Sequence, residues 1–592
     1  MKARIYIMML AAAVAFPMMA SAQNLDPTVE VSKAYEGKVM EVNKPLFEMA
    51  VPDSVLRFDL DFDYEVFENP YKGAYEFKPY SLDMQPVVSV PEFESMYLRL
   101  GAGNGFESLS LHPEADFLWT PVTRNDLKVD VYARHRSYVG EYRKPSGFSE
   151  QTGEVLDLGM RKSKESYDRT DLDMLSQAGV DGRYDWTYGS ARAGASYLGI
   201  AERYGLRRDS FNAIALNAGV ASKDHGQFMN YEVLASYRFG KDVLTYKDDL
   251  DDYLSDGLIE NVFSLNGKLK AVLMDEHKAL FEIGVENYSY GDARVSKLTF
   301  APHYLYRKGR LAIDAGFRIE PLIPSADSGC FETKGQFLYP DVTVDYQLVP
   351  GALKVYAKIG GGSKVNSFSA LKQENHHLDL LYAHGGVLMD NTIENFAVSA
   401  GVDGRLGSRF GYNVHAGYSV LGNAPVETVT VGNLPGNAEP VLMPGIAYAG
   451  YRKAYVAADW RWEVERFRFE GNLGYQYCWY EDKDELTRGY FLPSALKGDV
   501  SFSYNWSKRI FLGADCSFAT ARQKGSVAFP DGSVKDAKVP GYADLGIDFE
   551  YLLRKDLSLW FRGGNLLNMA IQRNLLYAEK GLYFSVGICL NL

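Results

Sequence analysis

Residues 467–479 read Phe-Arg-Phe-Glu-Gly-Asn-Leu-Gly-Tyr-Gln-Tyr-Cys-Trp. Phe467, Phe469, Leu473, Tyr475, Tyr477 and Trp479 fall on one parity; Arg468, Glu470, Asn472 and Gln476 fall on the other. A backbone whose side chains alternate between two faces makes this a strand with one apolar and one polar face. The same two-residue period recurs outward from it. Leu127, Val129, Val131 and Ala133 alternate with Lys128, Asp130, Tyr132 and Arg134. Phe263, Leu265, Leu269, Ala271 and Leu273 alternate with Ser264, Asn266, Lys268 and Lys270, and Leu353, Val355, Ala357 and Ile359 with Lys354, Tyr356 and Lys358.

A soluble β-sandwich and a transmembrane barrel both produce this alternation. Strand length separates them. Several segments exceed ten residues, which a tilted strand needs to cross about 30 Å of hydrocarbon, whereas soluble strands average about half that. The chain also ends on a strand, with Leu582, Phe584, Val586, Ile588, Leu590 and Leu592 on one face. Trp460, Trp462 and Trp479 stand at strand ends, as interfacial girdles require. About 22 alternating segments follow Ser95. Short turns such as Arg307-Lys308-Gly309 and Ser507-Lys508 alternate with longer connections near 140–182, 240–258, 320–335, 363–392, 421–446 and 521–541. The weakest segments lie near Tyr184 and His376. The expected fold is all-β, a transmembrane antiparallel barrel of about 22 strands over residues 95–592.

Composition agrees. The 592 residues carry 41 Tyr, 32 Phe and 55 Gly against 23 Pro, too aromatic for a disordered chain. Mean hydropathy is -0.22, and no apolar run reaches the length of a spanning helix. The net charge of -13 excludes nucleic acid as a partner on electrostatic grounds. Residues 1–22 have the form of a secretory signal peptide: Lys2 and Arg4, an apolar run from Ile5 to Met19, then Ala20-Ser21-Ala22. Residues 23–94 are rich in Pro and acidic residues. Their one alternating stretch, Leu56–Val66, sets Asp59, Asp61, Asp63 and Glu65 on one face; it is either a first barrel strand or, as preferred because those acidic residues would repel one another, a periplasmic strand or docking segment for a periplasmic or outer-membrane protein partner. Cys330, Cys478, Cys516 and Cys589 match no zinc or redox spacing.

Gly563-Gly564-Asn565-Leu566-Leu567-Asn568, followed by Gly581–Ile588, resembles the end of TonB-dependent receptor barrels. Tyr97–Gly103 and Gly360–Phe368 are similar in style to Bacteroidetes outer-membrane barrel proteins. The resemblance implies a 22-stranded barrel in the cell outer membrane, in contact with its lipid. Two features depart from it. Such barrels usually finish on Phe where this chain has Leu592, and they carry a plug domain longer than the 72 residues of Gln23–Glu94. No ligand-binding residue of that family carries over.

No catalytic motif is present: GxSxG, Walker and HExxH patterns are all missing, and no cofactor, metal ligand or catalytic residue is assigned. His376, His377 and His384, near Glu374 and Asp379, suit a transition metal by type, or are polar residues of a surface loop. Asp248, Asp249, Asp251, Asp252 and Asp256 form an acidic run that suits calcium or a solvated hairpin tip. Lys268, Lys270, Lys354, Lys358, Arg468 and Glu470, on the polar faces, either tune ion passage through a lumen or pair up to stiffen its wall. The functional expectation is a channel or receptor-like transporter for small solutes, not an enzyme. The alternative is a non-transporting accessory subunit of an outer-membrane complex.

Overall fold

In a computed structural model, the described residues are 95–592 apart from 106–109, 125, 146–154, 162–170, 205–206, 224–227, 248–251, 255–257, 291–292, 326–336, 379–388, 434–439 and 481–488. The expected leader and N-terminal segment, with Leu56–Val66, lie outside them, as do Cys330 and His384.

The main sheet has 28 strands. Six are short additions at Val155–Asp157, Asp252–Leu254, Leu322–Pro324, Tyr490–Phe491, Ser526–Ala528 and Val534–Lys538. The remaining 22 each pair antiparallel with their sequence neighbours, from Met96–Gly105 to Tyr583–Asn591. The first and last then pair with each other, Tyr97 opposite Asn591 through Gly105 opposite Tyr583. Met96 and Leu592 exchange both backbone hydrogen bonds at 2.8 Å. The sheet is therefore a closed barrel of 22 strands. Closure pairs the strand edges, which is what lets an extended backbone cross lipid.

The alternating faces settle sandwich against barrel. In a sandwich the apolar parity would be buried between sheets. Here Phe263, Leu265, Leu269 and Leu273 are 39–53% exposed and point outward, while the polar parity turns inward and pairs. Such a belt is tolerable only against hydrocarbon. Trp462 stands opposite Phe469, ten residues before Trp479 on the adjacent strand. At about 3.3 Å per residue and about 45° of tilt, the two aromatic levels are separated by about 23 Å, the height of a barrel's apolar band.

At the seam, Trp560 from Leu557–Gly564 lays its indole across Gly587 and Gly101 on the two following strands, where a Cβ would collide with the ring. The Arg99 guanidinium covers the ring at 4.1 Å. The final Asn-Leu-Leu-Asn element is a turn: Asn568 N–H donates to Asn565 O at 2.8 Å, and both Asn residues have positive φ (46° and 49°).

Tight turns crowd one end. Ser507 and Lys508 both take left-handed φ (57° and 59°), the hairpin geometry that matches strand twist. Ser95, where the described chain begins, is at this same end, its hydroxyl donating to Leu592 O at 3.4 Å. Short turns mark the periplasmic side.

The structure corrects three sequence expectations. The connection near 140–182 already becomes strand at Asp171. The stretch 421–446 is mostly strand, because Phe410–Asn433 and Pro440–Glu463 each run for 24 residues. Among the described residues near His376 there is no strand: Phe368–Glu374 is a helix, started by Ser367, whose side chain accepts from Ala370 N–H.

Candidate functional site: a loop lid over a polar lumen

The long-loop end is packed shut by its own connections. Gly360-Gly361-Gly362 interrupts the register of Leu353–Val365 with a bulge. Beyond it, residues 366–378 turn back into the mouth. Phe368, Leu371, Leu378 and Met389 form one apolar cluster with Leu198, Ile200, Phe211 and Tyr290 of the inner wall.

Charged groups pin the same segment. Lys372, 1% exposed, places its ammonium against Asp209 and 3.6 Å from Asp242. Ser369 donates from its N–H and its hydroxyl to the two oxygens of Glu260, each at 2.9 Å. Arg207 donates to His377 O at 2.9 Å, to Tyr577 OH at 2.7 Å and to Asp209 at 2.8 Å. His377 bonds Glu202 and stacks on Tyr577 with 4.2 Å between ring centres. Buried charges persist only when paired in this way, and removing one partner costs about 3–5 kcal/mol. Desolvation alone would push the His377 pKa down; the Glu202 carboxylate outweighs it and the net shift is upward. Half-buried His376 is held low by desolvation.

Two further segments complete the lid. Val429, Val431, Phe491, Val527, Leu156, Leu158 and the run Leu575–Ala578 make a second apolar cluster. Its sheet is mixed: Val534–Lys538 pairs antiparallel with Ser526–Ala528 and parallel with Val155–Asp157. Arg573 ties the 564–583 connection to the wall through Asp544 (3.0 Å) and Ser517 (2.8 Å). Between this connection, the helix loop and the wall lies a cavity of about 340 Å³, bordered by Asp173, Glu374, His376, Tyr577 and Lys580. At the short-turn end a larger cavity of about 930 Å³ is bordered by Arg99, Asp459, Arg461, Arg468, Glu470 and Glu550.

The lumen candidates share the inner face, and Lys268, Lys354, Arg468 and Glu470 are in ion pairs. Lys268 meets Glu282 at 2.8 Å, Lys354 meets Asp403 at 3.7 Å, and Arg468 meets Glu470 at 3.0 Å. These distances favour the wall-stiffening reading. His377 belongs to the lid and is committed to Glu202, and no group of three or more metal-ligating side chains forms among the described residues. Of the acidic run, Asp252 opens a strand paired back on Thr245–Lys247, as in a hairpin. Cys478, Cys516 and Cys589 are free thiols. Sequence reasoning missed Lys372, Asp209, Asp242, Glu202 and Glu260. The one available signal was a carboxylate at the outer end of each of several inward parities.

No family model matches the chain, and no curated protein does. Solved structures do match. The ferric enterobactin receptor PfeA of Pseudomonas aeruginosa, as a mutant, aligns at 10% identity over 84% of this chain and 81% of its own, with a TM-score of 0.57. The copper transporter OprC aligns at 10% identity over 84% and 80%, TM-score 0.55. The FrpB iron transporter of Neisseria meningitidis aligns at 9% identity over 84% and 81%, TM-score 0.58. Residues 95–592 are themselves 84% of the chain, the share the alignments cover. Identity this low speaks to fold alone. The chain has a closed 22-stranded barrel similar in fold to these receptors and transporters, and is an outer-membrane protein.

Proposed function

We propose that this protein is a receptor-like outer-membrane transporter for small solutes, held closed at the cell surface by its own loops. The observation that carries the reading is the Lys372 latch: a buried ammonium, set among wall carboxylates, fixes a helix across the mouth. A passive pore has no use for a lid with an apolar core and buried ion pairs. A transporter does, since a closed mouth prevents leakage until a solute or a periplasmic pull releases it. Ser95 sits at the short-turn end, the side on which such a pull would act. The matched structures are a ferric enterobactin receptor, a copper transporter and an iron transporter, which suits a transport role while leaving this chain's solute open.

Planar-bilayer recording tests the reading. The wild type should show little steady conductance, and a variant lacking residues 366–378, or Lys372→Ala, should conduct. A large steady conductance in the wild type would refute the lid. Silence in both forms, with the variants still migrating as heat-modifiable barrels, would shift the case to the accessory-subunit role. In that case, deletion of residues 23–94 should abolish co-purification of the partner.

A further inference from the structure

We infer that the cavity beneath the lid is a binding site for a small zwitterion, an amino acid or dipeptide with a free ammonium and a free carboxylate. The inference rests on the transporter reading and deepens it, since it names the class of solute that the closed mouth would hold.

The cavity of about 340 Å³ lies between the end of the helix loop, the 565–583 connection and the wall. Most of the charge around it is already paired. Arg573 holds Asp544 at 3.0 Å and Glu579 at 2.5 Å. His377 is committed to Glu202, and the Tyr577 hydroxyl accepts from Arg207. His376 is neutral, its pKa lowered by desolvation.

Three charged groups on the lining are left over. Half-buried Lys580 has no ion pair among the described residues. Its ammonium lies 5.8 Å from the Tyr138 ring centre and 5.3 Å from that of Tyr583, and the ring faces steady it. Half-buried Asp173 has no ion pair among the described residues either, and takes one long hydrogen bond, from Tyr142 OH at 3.5 Å. Glu374, exposed at the last position of the helix, is likewise without an ion pair among them.

Opposite charges therefore border one cavity without pairing with each other. A buried charge with no counter-charge is costly, and burial pushes the Lys580 ammonium down. A carboxylate brought to Lys580 offsets that cost. A simple anion would gain Lys580 but meet Asp173 and Glu374, and a simple cation would meet Lys580. A molecule with one charge at each end satisfies both signs. Ile571, Ala578 and the Tyr142 ring also line the cavity and offer a side chain apolar and aromatic surface. Small-molecule sites run from roughly 300 to 1,000 Å³, so a volume near the low end limits the solute to about the size of a dipeptide.

The test is calorimetric binding of L-alanyl-L-leucine, its N-acetyl form and its C-terminal amide to the full-length protein in non-ionic detergent. It is run on the wild type and on Lys372→Ala, the variant expected to loosen the lid. The loosened form should bind the free dipeptide saturably, and each blocked form about tenfold or more weaker. Adding Lys580→Gln should erase the penalty for the amide and keep that for the N-acetyl form; adding Asp173→Asn should do the reverse. All variants should still migrate as heat-modifiable barrels. Equal binding of free and blocked dipeptides, penalties untouched by the two substitutions, or no binding by either the wild type or the loosened form would each overturn the site. Saturable binding with silent bilayers in every variant would keep the site and remove the transport role. Conductance on loosening without any dipeptide binding would do the opposite.

Discussion

The two ends of this barrel are built on opposite principles. At the short-turn end the strands reverse within a few residues, and a cavity of about 930 Å³ lies among Arg and carboxylate side chains. At the other end, residues 366–378, 526–538 and 565–580 fold over one another with apolar clusters, and a buried ion pair ties Lys372 to Asp209 of the wall. The wall is stabilised by backbone pairing and lipid; the lid is stabilised as a soluble core is, by apolar burial and paired charge. Side chains that fix the lid are therefore separable from those that close the barrel.

That separation can be broken from either side. The largest effect belongs to the seam. Gly587→Val drives a branched side chain into the Trp560 indole and the neighbouring backbone, and should abolish the heat-modifiable form on SDS gels. Lys372→Ala leaves Asp209 and Asp242 without their ammonium and should weaken the lid by about 3–5 kcal/mol. It should appear as faster hydrogen exchange in residues 366–378 and a gain in conductance, with the barrel still heat-modifiable. If both variants lose the barrel, lid and wall are one cooperative unit and the contrast between the ends fails.

A smaller effect follows from His377. Its folded pKa is raised, since Glu202 outweighs desolvation. The pair's contribution is thus complete below the unfolded value of about 6.5 and is lost as pH rises through the raised value. Exchange in residues 366–378, corrected for its intrinsic pH dependence, should quicken across that window, and His377→Gln should flatten the profile. The smallest effect sits at the other end. Lys508 holds φ of 59°, so Lys508→Gly should raise resistance to thermal unfolding by up to about 1 kcal/mol without altering conductance.

The wall was legible in the sequence because a period of two is a local signal. Phe467–Trp479 states which face meets lipid with no knowledge of any neighbour, and the strand count needs only such segments. The lid was not legible, because its chemistry is long-range. Lys372 meets carboxylates more than a hundred residues earlier in the chain, and nothing near Lys372 in sequence marks it as buried. The 421–446 region misled for a related reason. Gly422, Pro425 and Pro444 resemble loop residues, yet the strands pass through them with a register shift between Leu421 and Ala424. The Asn565–Asn568 stretch stood out through its resemblance to the end of receptor barrels, and the structure shows it as a turn whose asparagines hold positive φ.

The seam also has a kinetic meaning. Ser95 and Leu592 are 497 positions apart and touch, so the last ladder to form encloses nearly the whole described chain. Pairings between residues so remote in sequence are slow to form. Until that step the growing sheet presents two raw borders, each able to recruit a wrong partner. The indole of Trp560, spread over two glycines, works as a clasp, and whatever assists insertion must keep the borders apart until the clasp can shut.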